Sequence, residues 1–283
     1  MIINCKDIAI SIENDVSHIV NTKSLKLTLA LISVGYNKAS EIYLNNKIKM
    51  CNYCGIDVVT IKFDEKISEN EIINKINSLN NDKKITSIMV QLPLPENFNE
   101  ERILNTIKPS KDVDCLTNYN LGKFFYQKNF NEKILIPCTA YGCLKIIKSV
   151  YNDISGKKVV VIGRSNISGK PIAQLLLQKN CSVTMLHSKS KNITEETMKA
   201  DIIVVAVGKA GFLKKDMINK NSLVIDVGIN RIDNRIYGDV DFDNVKECCK
   251  FITPVPNGVG KLTVACLMEN ILKCFFIQEK ENE

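Results

Sequence analysis

The 283-residue sequence contains no tryptophan, and only 6% of it is aromatic. A basic surface interleaved with stacking rings is therefore not on offer. The net charge of +7, carried by lysines spread along the whole chain, does not mark a nucleic-acid binder. Apolar runs such as the one at 201–207 fall far short of the ~20 residues needed to cross a bilayer. Met1 to Ile10 carries Lys6 and Asp7 and no sustained apolar stretch. Neither a secretory signal nor an Arg-rich transit peptide is read there, and the expected location is cytoplasmic, with no membrane partner. Cysteine is plentiful by contrast. Eleven cysteines, an odd number without an export signal, point to reduced thiols. Cys51 and Cys54 form a lone CxxC that lacks a second matched pair, and Cys248 and Cys249 are adjacent, so no metal is expected.

What is present is an ordinary globular composition, 45% apolar and 24% charged, in a length that suggests roughly two domains. From Thr28 onward, short β-rich runs alternate with longer helical patterns, the signature of parallel sheets covered by helices. Strands are expected at Leu27–Gly35, Asp57–Phe63 and Thr86–Leu92, and helices at Ala39–Cys54, Asn70–Leu79 and Asn99–Ile107. A polar, turn-rich stretch from Lys108 to Pro137 interrupts the alternation, and a helix follows at Tyr141–Asn152. A second alternation then begins, with strands at Lys158–Ile162, Cys181–His187, Asp201–Val207 and Leu223–Val227 and a helix at Lys170–Lys179. The class is α/β with two domains, the second Rossmann-like and doubly wound. The first is expected over 1–139 and the second over 140–261, with the C-terminal helical stretch 262–283 returning to complete the first.

Several residues could carry chemistry. Gly163-Arg164-Ser165 through Gly169 joins a strand to a helix, where backbone amides can receive phosphate, although the strict GxGxxG fingerprint is missing and a tight turn would use the same glycines. The next strand ends in His187-Ser188-Lys189, without the acid that an NAD site uses for the ribose hydroxyls. Arg164, Ser165 and Ser188 instead offer a cation and hydroxyls suited to a 2′-phosphate, which favours NADP. His187 itself reads as a satisfied strand-end histidine. Tyr43 and Lys47 lie four apart on one helix face. Such a pair is ordinarily solvated, but a desolvated lysine could exchange protons near neutral pH. Gln91, Asp112 and Asp114 sit beyond a strand end or in the following loop, where either bland turn roles or ligand contacts are open.

Taken together, a set of segments in fixed order resembles one family. They are Val34-Gly35 through Lys47, Val90-Gln-Leu-Pro-Leu-Pro95, Lys111-Asp-Val-Asp114, Pro137-Cys-Thr139, Gly163-Arg-Ser165, Asp226-Val-Gly-Ile-Asn230, Gly238-Asp-Val-Asp241 and Thr253-Pro-Val-Pro256 with Gly258-Val-Gly260. The chain resembles the bifunctional methylenetetrahydrofolate dehydrogenase/methenyltetrahydrofolate cyclohydrolase enzymes from about Val34 to Asn270. The resemblance implies NADP-dependent oxidation of 5,10-methylenetetrahydrofolate to the methenyl form and hydrolysis of that product to 10-formyltetrahydrofolate. It implies Lys47 as the proton-handling residue, Tyr43 aligning the folate, Gln91 holding Lys47 and Asp114 bonding the pterin. Leu92, Pro256 and Gly258 join the substrate site, while Gly163, Arg164, Ser165, Ser188 and Ile229 line the NADP site. A homodimer acting on tetrahydrofolate derivatives, polyglutamylated forms included, also follows, with a place in one-carbon metabolism and purine biosynthesis.

The family pattern is not matched throughout. Cys115 stands where glycine is common, Ala140 where proline is, and Asn257 and Lys261 replace a glycine and a proline in the loop before the last helix. An NAD-preferring or single-activity relative and a folate- or nucleotide-binding protein without catalysis are the alternative readings. Another two-domain Rossmann dehydrogenase, acting on an amino or hydroxy acid, would explain the second domain alone.

Overall fold

A run of apolar residues flanked by polar turns makes β1 (Thr28–Val34) a strand buried on both faces, as a central parallel strand must be. A computed structural model describes residues 1–35, 38–127, 134–233 and 235–281, the side chains of 38–40, 42 and 43 excepted. It divides into two units, one of residues 11–138 and 264–283, which contains Lys47, the other of residues 1–10 and 139–263, which contains Gly163. They are called here the Lys47 unit and the Gly163 unit. The boundaries fall inside helices, so α1 (Cys5–Thr22) begins in one unit and ends in the other.

In the Lys47 unit β1 is followed by α2 (Lys38–Tyr53), β2 (Asp57–Phe63), α3 (Glu69–Asn81), β3 (Ser87–Val90), α4 (Glu100–Leu104) and α5 (Asn118–Tyr126). The three strands are parallel in the order β2-β1-β3. Local chemistry explains the helix ends. Ser68 caps α3 and exchanges hydrogen bonds with Glu71, an arrangement that contributes about 1 kcal/mol. Ile72, Ile76 and Leu79 then recur at helical spacing and pack with Ile88 and Ile103 in one core.

The Gly163 unit begins its alternation after α6 (Cys138–Val150). It holds β4 (Lys158–Ile162), α7 (Gly169–Leu177), β5 (Ser182–Leu186), α8 (Ile193–Met198), β6 (Ile202–Val205), β7 (Leu223–Asp226), the antiparallel pair β8 (Asn230–Ile232) and β9 (Arg235–Tyr237), α9 (Phe242–Val245) and β10 (Phe251–Ile252). The five-stranded sheet is parallel in the order β10-β7-β6-β4-β5, a doubly wound arrangement. The last helix, α10 (Val259–Glu281), belongs from Val264 onward to the Lys47 unit, where Asn270 donates to Val113 O and Ile136 O and Gln278 donates to Thr86 O.

Three features were not read from the sequence. Helix α1 carries buried Cys5, Ala9, Ile12, Val16 and Val20 at helical spacing, a signal diluted by the polar residues between them. Its first turn lies in the Gly163 unit, where Ile3 N–H donates to Ile252 O and Ile252 N–H to Met1 O, at 2.9 and 3.0 Å. Helix α5 forms inside the turn-rich stretch because Thr117 caps it and Phe124 is buried, while the Asn120 amide is occupied by Pro109 O and Asp112. No helix among the described residues is long and apolar enough to cross a membrane.

Candidate active site

Helix α2 turns Leu44, Lys47, Cys51 and the following Cys54 inward, spacings of three and four that define a core face. Lysine thus occupies a position that the pattern reserves for an apolar residue, and it is only 7% exposed. Its Nζ donates to Gln91 Oε1 at 2.8 Å and approaches Met89 Sδ at 3.5 Å. Gln91 follows β3 and is held in turn by its Nε2, which donates to Leu92 O at 2.6 Å. Desolvation drives the Lys47 pKa below the ordinary lysine value of 10.5, with Asp114 pulling the other way. A buried ammonium with one firm hydrogen bond among the described residues is poorly compensated, which favours the neutral amine and its lone pair.

The neighbouring loop separates two aspartates by role. Asp112 accepts from Leu116 N–H, Thr117 N–H, Thr117 Oγ and Asn120 Nδ2, all between 2.8 and 3.1 Å, and so ties the loop to the start of α5. Asp114 instead interacts with Lys47 and Cys138. Burial raises its pKa, Lys47 counteracts this, Asp112 adds to it, and the Cys138 thiol donates to it. Val113 between them is clamped through its carbonyl by Asn270 Nδ2 at 2.9 Å. The Cys138 thiol, the Met89 sulfur and Asn270 were missed as site components; nothing in their spacing announces contacts across so many intervening residues.

In the Gly163 unit, β4 and β6 are neighbours at the point where the strand order reverses, the place where ligands bind in such sheets. Gly163, with φ +121°, follows β4, and a Cβ there would strike the Ala206 carbonyl beyond β6. Gly169 opens α7 against the Gly163 carbonyl, again with no room for a side chain. Arg164, Ser165 and Ser188 are exposed on this rim, and neither Arg164 nor Ser188 makes a side-chain hydrogen bond or ion pair among the described residues. Ser165 Oγ is 2.5 Å from Ser168 Oγ and accepts from Gly169 N–H. His187 Nδ1 accepts from Lys189 N–H at 3.1 Å, an ordinary turn contact.

The comparisons with known proteins cover nearly all of this architecture. The catalytic domain of tetrahydrofolate dehydrogenase/cyclohydrolase matches residues 3–114, and its NAD(P)-binding domain matches residues 137–279. The chain belongs to the tetrahydrofolate dehydrogenase/cyclohydrolase family. A relative from Rickettsia typhi, the bifunctional protein FolD, is 49% identical over 248 residues, 87% of this chain and 86% of the relative. The FolD of Clostridium beijerinckii is 43% identical over 99% of both chains. Among solved structures, the bifunctional FolD of Campylobacter jejuni superposes with a TM-score of 0.92 at 37% identity, over 98% of this chain and 99% of that one. The Trypanosoma brucei enzyme, solved with NADP and an inhibitor, gives 0.94 at 31% identity, over 99% and 98%.

For this tetrahydrofolate dehydrogenase/cyclohydrolase family member, the structure brings Lys47, Gln91 and Asp114 together within one unit. The Tyr43 side chain lies outside the described residues. Leu92 is partly buried against the core. Pro256 and Gly258 belong to the Gly163 unit, where Pro256 is exposed and Gly258 is packed against the Pro254 carbonyl. Ile229 is 44% exposed, unusual for its type and available to a ligand. The donor set fits a phosphorylated dinucleotide: the Arg164 guanidinium and Ser188 hydroxyl, unpaired among the described residues, a glycine turn at the switch point and no carboxylate just beyond β5. Both departures from glycine sit in left-handed backbone, Cys115 at φ +58° and Asn257 at φ +73°, a conformation that asparagine adopts more readily than cysteine. Among the described residues, no group of three or more His, Cys, Asp or Glu could hold a metal ion.

Proposed function

We propose that this chain oxidises 5,10-methylenetetrahydrofolate to 5,10-methenyltetrahydrofolate with NADP and hydrolyses the product to 10-formyltetrahydrofolate. The observation that carries the reading is Lys47, buried at a position built for an apolar side chain and bonded to Gln91 with its pKa lowered. In the hydrolysis the neutral Lys47 amine takes a proton as water attacks the methenyl carbon, then returns one as the tetrahedral intermediate collapses. Gln91 fixes the lysine rotamer, and Asp114, its pKa raised by burial, hydrogen-bonds the pterin. Tyr43 aligns the folate, and Leu92 lines its site. When bound, NADP supplies the hydride acceptor. The chain's part in that step is positioning. Gly163, Ser165 and Ile229 cradle the dinucleotide, while Arg164 and Ser188 address its 2′-phosphate.

The deciding experiment is an absorbance assay with methylenetetrahydrofolate and NADP, then NAD, followed by methenyltetrahydrofolate alone. NADP reduction together with methenyl hydrolysis upholds the reading; either signal missing reduces it to a single-activity relative. We further propose a cytoplasmic homodimer acting on polyglutamylated folates. Light scattering tests the dimer, cell fractionation the location, and a KM that falls with glutamate number the tail.

A further inference from the structure

Asp226 and Asp239 are buried in the Gly163 unit, 2% and 0% exposed, and no lysine or arginine pairs with either among the described residues. Their charge is met by N–H groups instead. Asp226 accepts from the backbone of Gly228, Asp239 and Val240 at 2.8–3.1 Å. Asp239 accepts from the backbone of Val207, Gly208 and Lys209 and from Asn230 Nδ2 at 2.6–2.9 Å. Asp226 N–H donates to Thr253 Oγ1, just past β10. Two glycines make room: a Cβ on Gly228 would occupy the Asp239 carboxylate, and one on Gly238 the Asp226 carboxylate.

These bonds converge on the carboxyl-terminal edge of the sheet. The segment after β6 that Asp239 holds follows Ala206, whose carbonyl packs on Gly163. Ile229 is bracketed, with Gly228 tied to Asp226 and Asn230 to Asp239, and its side chain stays exposed between them. We infer that Asp226 and Asp239 are positioning residues that preset the Val207–Lys209 and Gly228–Asn230 loops for the dinucleotide, so that binding costs little ordering.

This inference rests on the NADP reading, and the test separates the two. Calorimetry with NADP is run on wild type, Asp239→Asn and Asn230→Ala, alongside amide hydrogen exchange of the free proteins. Both Asp239 oxygens accept, so an asparagine amide would face N–H donors. Asp239→Asn is expected to bind NADP about tenfold more weakly, with faster exchange confined to 207–209 and 228–230 while β4 stays protected. Asn230→Ala, which leaves three backbone donors in place, is expected to lose about threefold. No NADP binding by wild type overturns the functional reading itself. Wild-type affinity in Asp239→Asn with loosened loops overturns the positioning role. If Asp239→Asn loses protection throughout the unit, Asn230→Ala decides, and unchanged affinity there overturns the inference.

Discussion

The two sheets share one device, a first strand set between the second and third, β2-β1-β3 in the Lys47 unit and β5-β4-β6 in the Gly163 unit. Beyond those strand ends they treat buried charge in opposite ways. Asp226 and Asp239 spend both oxygens on N–H donors and hold loops still. Among the described residues, Lys47 Nζ has one strong partner, Gln91. A saturated group builds scaffold, while an undersaturated one keeps its reactivity. Lys111 supports the point from within the Lys47 unit. It is 4% exposed, yet its Nζ donates to Leu79 O and Asp82 O at 2.9 and 2.7 Å, closing the end of α3.

The sharpest break is Lys47→Met, expected to lower methenyl hydrolysis by about 10²- to 10⁴-fold in a protein that stays folded. Normal hydrolysis would refute the lysine's role. In wild type, hydrolysis should rise with pH, with a midpoint below the ordinary 10.5, since the active form is the neutral amine. The linkage has a definite sign. With its folded pKa depressed, Lys47 binds fewer protons folded than unfolded, so its penalty is full below the folded pKa and lifts as pH rises toward 10.5. Asp226 behaves oppositely. Burial and Asp239 raise it to about 7 against its three donors, so its contribution is full below 3.8 and is lost as pH climbs through about 7. Thermal melts of Lys47→Met and wild type across pH would show the alkaline gain only in wild type.

Next in size, Lys111→Met should destabilise by about 1–3 kcal/mol, because two carbonyls lose their donor, while Lys47→Met should hold or gain stability. Urea unfolding of both variants measures the contrast, and equal losses would erase it. Arg164→Ala should cut the preference for NADP over NAD by about tenfold in kcat/KM ratios, with the NAD rate little changed. A wild type that prefers NAD would remove the phosphate reading at once. Smallest is Asn257→Gly, expected to shift stability by less than about 1 kcal/mol, because asparagine already accepts the left-handed φ of +73°. A larger melting shift would mean that the Asn257 side chain has a role beyond its backbone.

Much of this was legible before any coordinates. Apolar periodicity exposed most strands and several helices, though not α1, because burial on parallel sheets leaves continuous β-branched runs such as Lys158–Ile162. The ordered motifs singled out Lys47, Gln91 and Asp114, which the structure brings together, and the missing acid after β5 pointed to a phosphorylated dinucleotide. Local order alone did not show that Lys47 is buried, since a Tyr–Lys pair on a helix is equally suited to solvent. Nor could it tell Asp112 from Asp114, as either could make a turn. Those distinctions depend on where distant segments arrive: Gln91 from β3 against α2, Asn270 from α10 onto Val113, and Asp239 under the loop after β6. Sequence determined the elements and the chemical inventory through local periodicity and side-chain type. Only the tertiary structure decided which polar groups were left short of partners, because desolvation and hydrogen-bond satisfaction depend on all neighbours at once.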